Sequence, residues 1–294
     1  MKDPTHPFSS DFDDVGSLCL ESGCKTKDFK MTVNCLVLDY DGIIGPLSLS
    51  RNKSRVPAET RAVLQELSKL IPIVVVTTKD LSFVEARTPF ACAWSAVGGL
   101  ERKVGGVTQK RRGFDHKLRN VSVALEYAKL RMKFAGVEIE EKRDMNHRPI
   151  AFCLDWRRVK DSLAAMNEAN AFADYCKSLG LMLVRNECQP FLDVYPMFID
   201  KGVALRELSN ELKLKKGILY MGDSEVDNAA FAVADVSVGV VHGENYGQGL
   251  VCDYLVKFEG VSTFLRRLLE NRLLFESDFP MILMNAKGRD GRDA

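Results

Sequence analysis

Three short apolar runs in this chain each end abruptly in side chains bearing oxygen or nitrogen: Leu36 to Asp41, Ile73 to Lys79 and Ile218 to Asp227. Continuous Val, Ile and Leu is what a parallel sheet covered on both faces demands, whereas a sheet with one wet face alternates. Ligands of such sheets sit in the crevice beyond the carboxyl ends of the strands. The runs therefore aim their terminal groups at one crevice. LVLDYDG supplies Asp39 and Asp41, VVVTTKD supplies Thr77 and Thr78, and ILYMGDSEVDN supplies Asp223 and Asp227. Lys201, opening a helix-like stretch, adds a fourth chemical group.

The spacing of apolar residues gives the organisation. An α/β alternation begins at Val33; Pro57, favoured in a first helical turn, opens a helix with Val63, Leu64, Leu67 and Leu70 on one face. From about 102 to 190 the chain is richer in charge. There the pattern predicts a helix over 114–134, strands over 136–142 and 149–156, and a helix from Lys160 to Gly180 with Leu163, Met166, Ala173 and Cys176 near one face. Strands near 181–185 and 191–195 close the insert. After Lys201 the parallel pattern resumes, with strands at 217–221 and 236–241 and a last helix around 264–274. The expected fold is α/β, a doubly wound, Rossmann-like parallel-sheet core interrupted by an inserted α+β cap. The expected boundaries are a mobile leader over 1–30, core over 31–101 and 191–275, cap over 102–190, and a frayed tail over 276–294.

Composition narrows the partners. With 41 basic against 40 acidic residues, the net charge of +1 gives no global reason to bind nucleic acid or an anionic membrane. The N-terminus has no apolar signal core, and no apolar run reaches the roughly 20 residues that span a bilayer, so the expected location is cytoplasmic. Cys35, Cys92 and Cys153 sit in apolar runs and read as small core hydrophobes; Cys19 and Cys24 lie in the polar leader without further metal ligands nearby. Oligomeric state is not legible.

In an extended chain residues i and i+2 point the same way, so Asp39 and Asp41 can both reach one site. With Asp223 beside them they form a negative cluster that calls for a cation. A hard ion held by oxygens with room for phosphate is Mg²⁺. Thr77 and Lys201 offer a hydroxyl donor and a fixed positive charge that match a phosphoryl group. The set suits phosphoryl transfer to a carboxylate, with a second carboxylate protonating the leaving oxygen and then activating water. Taken singly, an Asp-x-Asp pair or a Gly-Asp turn is ordinary loop chemistry. Their occurrence together at successive strand ends is what marks a site.

On these motifs the chain resembles the haloacid-dehalogenase-type phosphatases, in the branch whose α/β cap is inserted between the second and third motifs, over about Val33 to Leu274. The resemblance implies Asp39 as nucleophile, Asp41 as general acid/base, and Thr77 and Lys201 as phosphate binders. It implies Mg²⁺ held by the Asp39 carboxylate, the Asp41 carbonyl and Asp223, with Asp227 in support. Within that superfamily the chain is most similar to trehalose-phosphate phosphatases, through LDYDG at 38–42, VVVTTKDL at 74–81, IEEK at 139–142, AFCLDWR at 151–157 and DVYP at 193–196 before DKG at 200–202. It departs from that family at Ile43 (usually Thr), Thr78 (Gly), Lys79 (Arg), Asp155 (His) and Tyr195 (a basic residue). The expected partner is a small phosphosugar, trehalose 6-phosphate first. Thr78, Glu140, Lys142, Arg157 and Asp193 are the candidates to bind it, although the four cap residues could equally form a solvated sheet face. His242 reads as a loop residue, and Trp94 and Trp156 as packing. The alternatives are another sugar-phosphate or glycosyl-phosphoglycerate phosphatase, or a non-catalytic phosphosugar-binding protein on the same fold.

Overall fold

Strands Cys35–Leu38, Ile73–Val76 and Ile218–Gly222 form at the uninterrupted apolar runs, and every residue in them is buried. They come from a computed structural model that describes residues 29–131, 136–185, 190–243, 249–279 and 282–284. The leader through residue 28, with Cys19 and Cys24, and the tail from 285 lie outside the described residues. The three strands are neighbours in a nine-stranded sheet, joined in parallel by Ala93–Ala96 on one side and by Val236–Val241 and Tyr254–Lys257 on the other. Successive side chains take opposite faces. Leu36, Leu38, Ile73, Val75, Leu219 and Met221 pack with the residues of helices Ala58–Leu67 and Val261–Glu270. Cys35, Val37, Val74, Val76, Ile218 and Tyr220 pack with those of Lys201–Glu211 and Asn228–Phe231. That is the doubly wound core the sequence implies. Strand order reverses between Cys35–Leu38 and Ile218–Gly222, so Asp39 and Asp223 flank the switch point where such sheets bind ligands.

The second sheet is antiparallel and four-stranded, in the order Glu138–Arg143, Pro149–Asp155, Phe191–Tyr195, Met182–Val184. Its Phe152, Leu154, Leu192 and Val194 lie under helices Leu118–Arg131 and Ser162–Ser178. The alternate residues Glu140, Lys142, Cys153, Asp155 and Asp193 line a cleft over the core. Helix Ser162–Ser178 buries two of the four residues expected on its inner face, Ala173 and Cys176, but not Leu163 and Met166. Ala165, Ala169, Phe172, Ala173 and Cys176 are buried, while Leu163 is 62% exposed, because small residues let the helix sit close to the sheet. Leu70, past the end of its helix at Leu67, is likewise exposed.

Sheet membership shifts the expected boundaries. Glu101–Val104 and Val107–Lys110 form a hairpin on the edge of the core sheet, although their charged, half-buried sequences resemble the insert. Phe191–Tyr195 belongs to the cap sheet. Core and cap meet through Leu81, Ala96, Val97 and Leu100 packed with Phe114, Ile150, Ala151, Tyr195 and Ile199. The segment expected to fray after 275 starts ordered: Leu274–Glu276 pairs antiparallel with Lys30–Thr32, and Phe275 and Phe279 are buried in the core. Cys35, Cys92, Cys153 and Cys176 are free thiols; Cys92, expected inside, is exposed. Among the described residues no helix is long and apolar enough to cross a membrane.

Candidate active site

After Leu38 the chain turns at once. The Ile44 and Gly45 amides both donate to the Tyr40 carbonyl, which folds Asp39 to Gly45 into a tight loop. Gly42 sits at φ +72°, and a Cβ there would lie 1.9 Å from Asp223 Oδ2. Only glycine allows this loop to approach the end of the neighbouring strand.

Asp39 Oδ1 accepts the Tyr40 amide at 2.6 Å, and Oδ2 accepts Lys201 Nζ at 2.5 Å. Lys201 also donates to Asp227 Oδ1 at 2.7 Å. Asp200 caps the helix that carries Lys201, accepting the Val203 amide at 2.8 Å. Asp227 is the most committed carboxylate of the group. Besides Lys201 it accepts Tyr220 OH at 2.6 Å, the Asp223 and Ser224 amides at 3.2 and 3.1 Å, and Ser224 Oγ at 3.0 Å. That network suits the supporting role expected of Asp227.

Ligand atoms of Asp39, Asp223 and Asp227 all lie within 4.8 Å of one another. Burial pushes Asp39 up to about 6; Lys201 pulls it down and Asp227 adds to the rise. Asp223 is pushed well above the usual carboxylate range, by burial first and then by Asp227 and Asp39. Burial works against the charge on Lys201, but Asp227 and Asp39 outweigh it and raise its pKa. One lysine does not neutralise this many buried carboxylates. Oxygen donors with surplus negative charge fit a hard divalent cation.

Thr77 is fully buried, and its hydroxyl accepts the Lys79 amide at 3.2 Å; Thr78 beside it lines the cleft. Asp41 is turned to Lys79, whose Nζ stands 3.1 Å from Asp41 Oδ2. The same Nζ donates to both oxygens of Glu140 in the cap, at 2.9 and 2.7 Å. Arg51, from the loop after the first strand, reaches Glu140 Oε1 at 2.8 Å. Burial alone would raise the Glu140 carboxyl, but Lys79, Lys142 and Arg51 hold it down at about 2.

Elsewhere on the cap face, buried Lys142 pairs with Asp193 and donates to Tyr195 OH at 3.1 Å. Arg157 is held by Asp155 at 2.8 Å, stacks 4.4 Å over the Phe191 ring and donates to the Leu47 carbonyl of the core at 2.8 Å. The cleft between floor and cap has a volume of about 310 Å³ and brings together Asp39, Asp41, Thr78, Lys201, Asp223, Glu140, Lys142, Arg157 and Asp193. His242 is closer to the chemistry than a loop residue need be: Nε2 is 2.9 Å from the Gly42 carbonyl and 3.6 Å from Asp223 Oδ2. Burial lowers its pKa. Trp156 is buried in the cap core, and Trp94 packs at the core edge with its indole N–H on Thr88.

A family model for trehalose-phosphatase matches residues 37–244, spanning both the cleft floor and the cap. The chain belongs to the trehalose-phosphatase family. It is a phosphatase acting on sugar phosphates. Solved structures share the fold at low identity. A trehalose-6-phosphate phosphatase related protein is 16% identical with a TM-score of 0.65, covering 81% of this chain and 97% of its own. The C-terminal domain of the Candida albicans trehalose-6-phosphate phosphatase is 16% identical at 0.61, covering 82% and 93%. A haloacid dehalogenase-like hydrolase from Bacteroides thetaiotaomicron is 15% identical at 0.57, covering 80% and 99%. No curated protein matches the chain significantly. The trehalose-phosphatase family, to which the motifs are most similar, is the one the family model gives, and the solved structures share the expected capped fold.

Proposed function

We propose that this chain hydrolyses trehalose 6-phosphate, or a closely related phosphosugar, in a Mg²⁺-dependent reaction that passes through a phosphoryl group on Asp39. The observation that carries the reading is the buried Lys201–Asp39–Asp223 cluster facing the charged cap surface across one cleft. An Asp39 carboxylate oxygen attacks phosphorus, and the ester P–O bond to the sugar breaks. Asp41 gives a proton to the departing sugar oxygen. Water then attacks the phosphoryl group on Asp39, Asp41 takes its proton, and inorganic phosphate leaves with Asp39 restored. Asp39, Asp223 and the Asp41 carbonyl would hold Mg²⁺, which supplies positive charge to phosphate oxygens in the same pocket. Lys201 fixes Asp39 and balances its charge; Thr78 borders the phosphate end, and Thr77, buried behind it, accepts the Lys79 amide. Glu140, Arg157 and Asp193 would orient the sugar, because charged groups bond hydroxyls directionally, with buried Lys142 holding Asp193 in place.

A second reading, a different sugar phosphate or a glycosyl-phosphoglycerate, is favoured by two positions. Asp155 and Tyr195 differ from the family's usual cap residues, and both are engaged, Asp155 with Arg157 and Tyr195 with Lys142. A panel of phosphorylated sugars and phosphoglycerates, assayed for phosphate release with and without Mg²⁺, decides between the readings. Turnover led by trehalose 6-phosphate supports the first; preference for another member of the panel supports the second; no release from any member overturns both.

A further inference from the structure

Five groups of alternating charge run from the core into the cap and back: Asp80, Arg51, Glu140, Lys79 and Asp41. Arg51 bridges two carboxylates. One arm of its guanidinium binds Asp80, which caps helix Leu81–Arg87 and accepts the Phe83 amide at 2.9 Å; the other binds Glu140 at 2.8 Å. Its Cζ lies 4.4 Å from the centre of the Phe83 ring, and that of Arg87 lies 3.7 Å from it, so the side chain is packed as well as paired. Glu140 thus carries two cations for one negative charge.

We infer that Arg51 is a positioning residue for the sugar end of the cleft: it holds Glu140 anionic and oriented once Lys79 is drawn toward the phosphoryl end. This rests on the sugar-phosphate reading above. A phosphate ester arriving at Asp39 brings negative charge beside Asp41, 3.1 Å from Lys79 Nζ, and competes with Glu140 for that ammonium. With Lys79 as its only partner, Glu140 would then be a half-buried carboxylate stripped of its counter-charge, a costly state that would turn it from the substrate. Arg51 removes that cost, because its attachment runs through Asp80 and is independent of the phosphate. A lysine cannot replace it, since one ammonium point charge does not span two carboxylates as a planar fork does.

The experiment compares kcat/KM for the best sugar phosphate and for p-nitrophenyl phosphate in wild type, Arg51→Met, Arg51→Lys, Glu140→Gln and the Arg51→Met/Glu140→Gln double variant, with thermal midpoints recorded for each. Arg51→Met is expected to lower kcat/KM for the sugar phosphate about 10- to 50-fold, mostly through KM, and for the aryl phosphate less than threefold. Arg51→Lys should recover little, and the double variant should lose no more than Glu140→Gln alone, because Arg51 acts through Glu140. Equal losses on both substrates would place its effect on helix Leu81–Arg87 and the phosphate end, and overturn the inference. So would no loss on either, additive losses in the double variant, or full recovery by lysine. A wild type that releases phosphate from no sugar phosphate overturns the underlying reading and the inference together.

Discussion

The floor and the roof of the cleft are built on different principles. On the floor two of the carboxylates are tied to backbone: Asp39 takes the Tyr40 amide, and Asp227 takes the Asp223 and Ser224 amides. On the roof the charges are tied mainly to other side chains, Glu140 to Lys79 and Arg51, Lys142 to Asp193 and Tyr195, and Arg157 to Asp155. Backbone-held groups keep their places when a ligand arrives, as preorganised electrostatic catalysis requires. Side-chain pairs exchange partners, which suits a surface that trades an internal ion pair for a substrate hydroxyl. Chemistry and selectivity should therefore separate under mutation.

The floor should break hardest. Asp39→Asn keeps the shape but removes the attacking oxygen, and is expected to lower kcat at least 1000-fold, about 4 kcal/mol of barrier, on sugar and aryl phosphates alike. Its thermal midpoint should stay at or above that of wild type, because one buried negative charge of the crowded cluster is gone. Loss of less than about tenfold would rule out the covalent route. Metal removal comes next: excess chelator should silence both substrates and Mg²⁺ restore them, with Asp223→Ala needing far more metal for half-maximal rate. Full turnover in chelator would remove the cation from the site.

The roof should break selectively, and unevenly. Glu140→Ala is expected to cost the phosphosugar 10- to 100-fold in kcat/KM, about 1.4 to 2.7 kcal/mol, while sparing a small aryl phosphate that has no sugar to hold. Lys142→Ala differs because Lys142 is buried: Asp193 loses its ion-pair partner, so the thermal midpoint should fall together with the rate on both substrates. If both variants behave alike, the division of the cap face into reading and structural charges is wrong.

This asymmetry also governs what the sequence could reveal. Asp39, Asp41, Thr77 and Asp223 are legible because a buried parallel strand must be continuously apolar, and the residue that ends it is pinned in register by the sheet. Lys201 was legible from its place at a helix start, beside the Asp200 cap. Arg51 was not, since it lies in a loop with no periodicity and its partners, Asp80 and Glu140, are 29 and 89 residues away. His242 reads in the sequence as a loop residue, because nothing local tells that Gly42 brings the first loop to it. The edge hairpin beyond Glu101 reads as insert because edge strands are half-wet and carry charge, so composition cannot separate them from cap strands.

That hairpin supplies the smallest test, remote from both substrates. Glu101 is fully buried, with Oε1 accepting the Met145 amide at 3.4 Å and standing 3.9 Å from Lys110 Nζ, while Oε2 has no partner. Lys110 is taken by Asp144 at 2.6 Å. Burial pushes Glu101 up to about 7; the Met145 amide and Lys110 pull it down, and Asp144 and Asp80 add to the rise. The folded chain therefore keeps a proton that an unfolded glutamate, ordinarily near 4.5, has already lost. Stability from this group is fully present below about 4.5 and is lost as pH rises through about 7. Glu101→Gln cannot ionise, so wild type minus variant should fall across that window and level off above it. By pH 8 the variant should be the more stable by about 1 kcal/mol, roughly 2 to 4 °C in midpoint. Thermal melts at half-unit steps from pH 5 to 8.5 read this directly. A difference that stays flat would mean that Lys110 keeps Glu101 charged throughout, making the hairpin and the cap turn at Asp144 a permanent ion-paired seam.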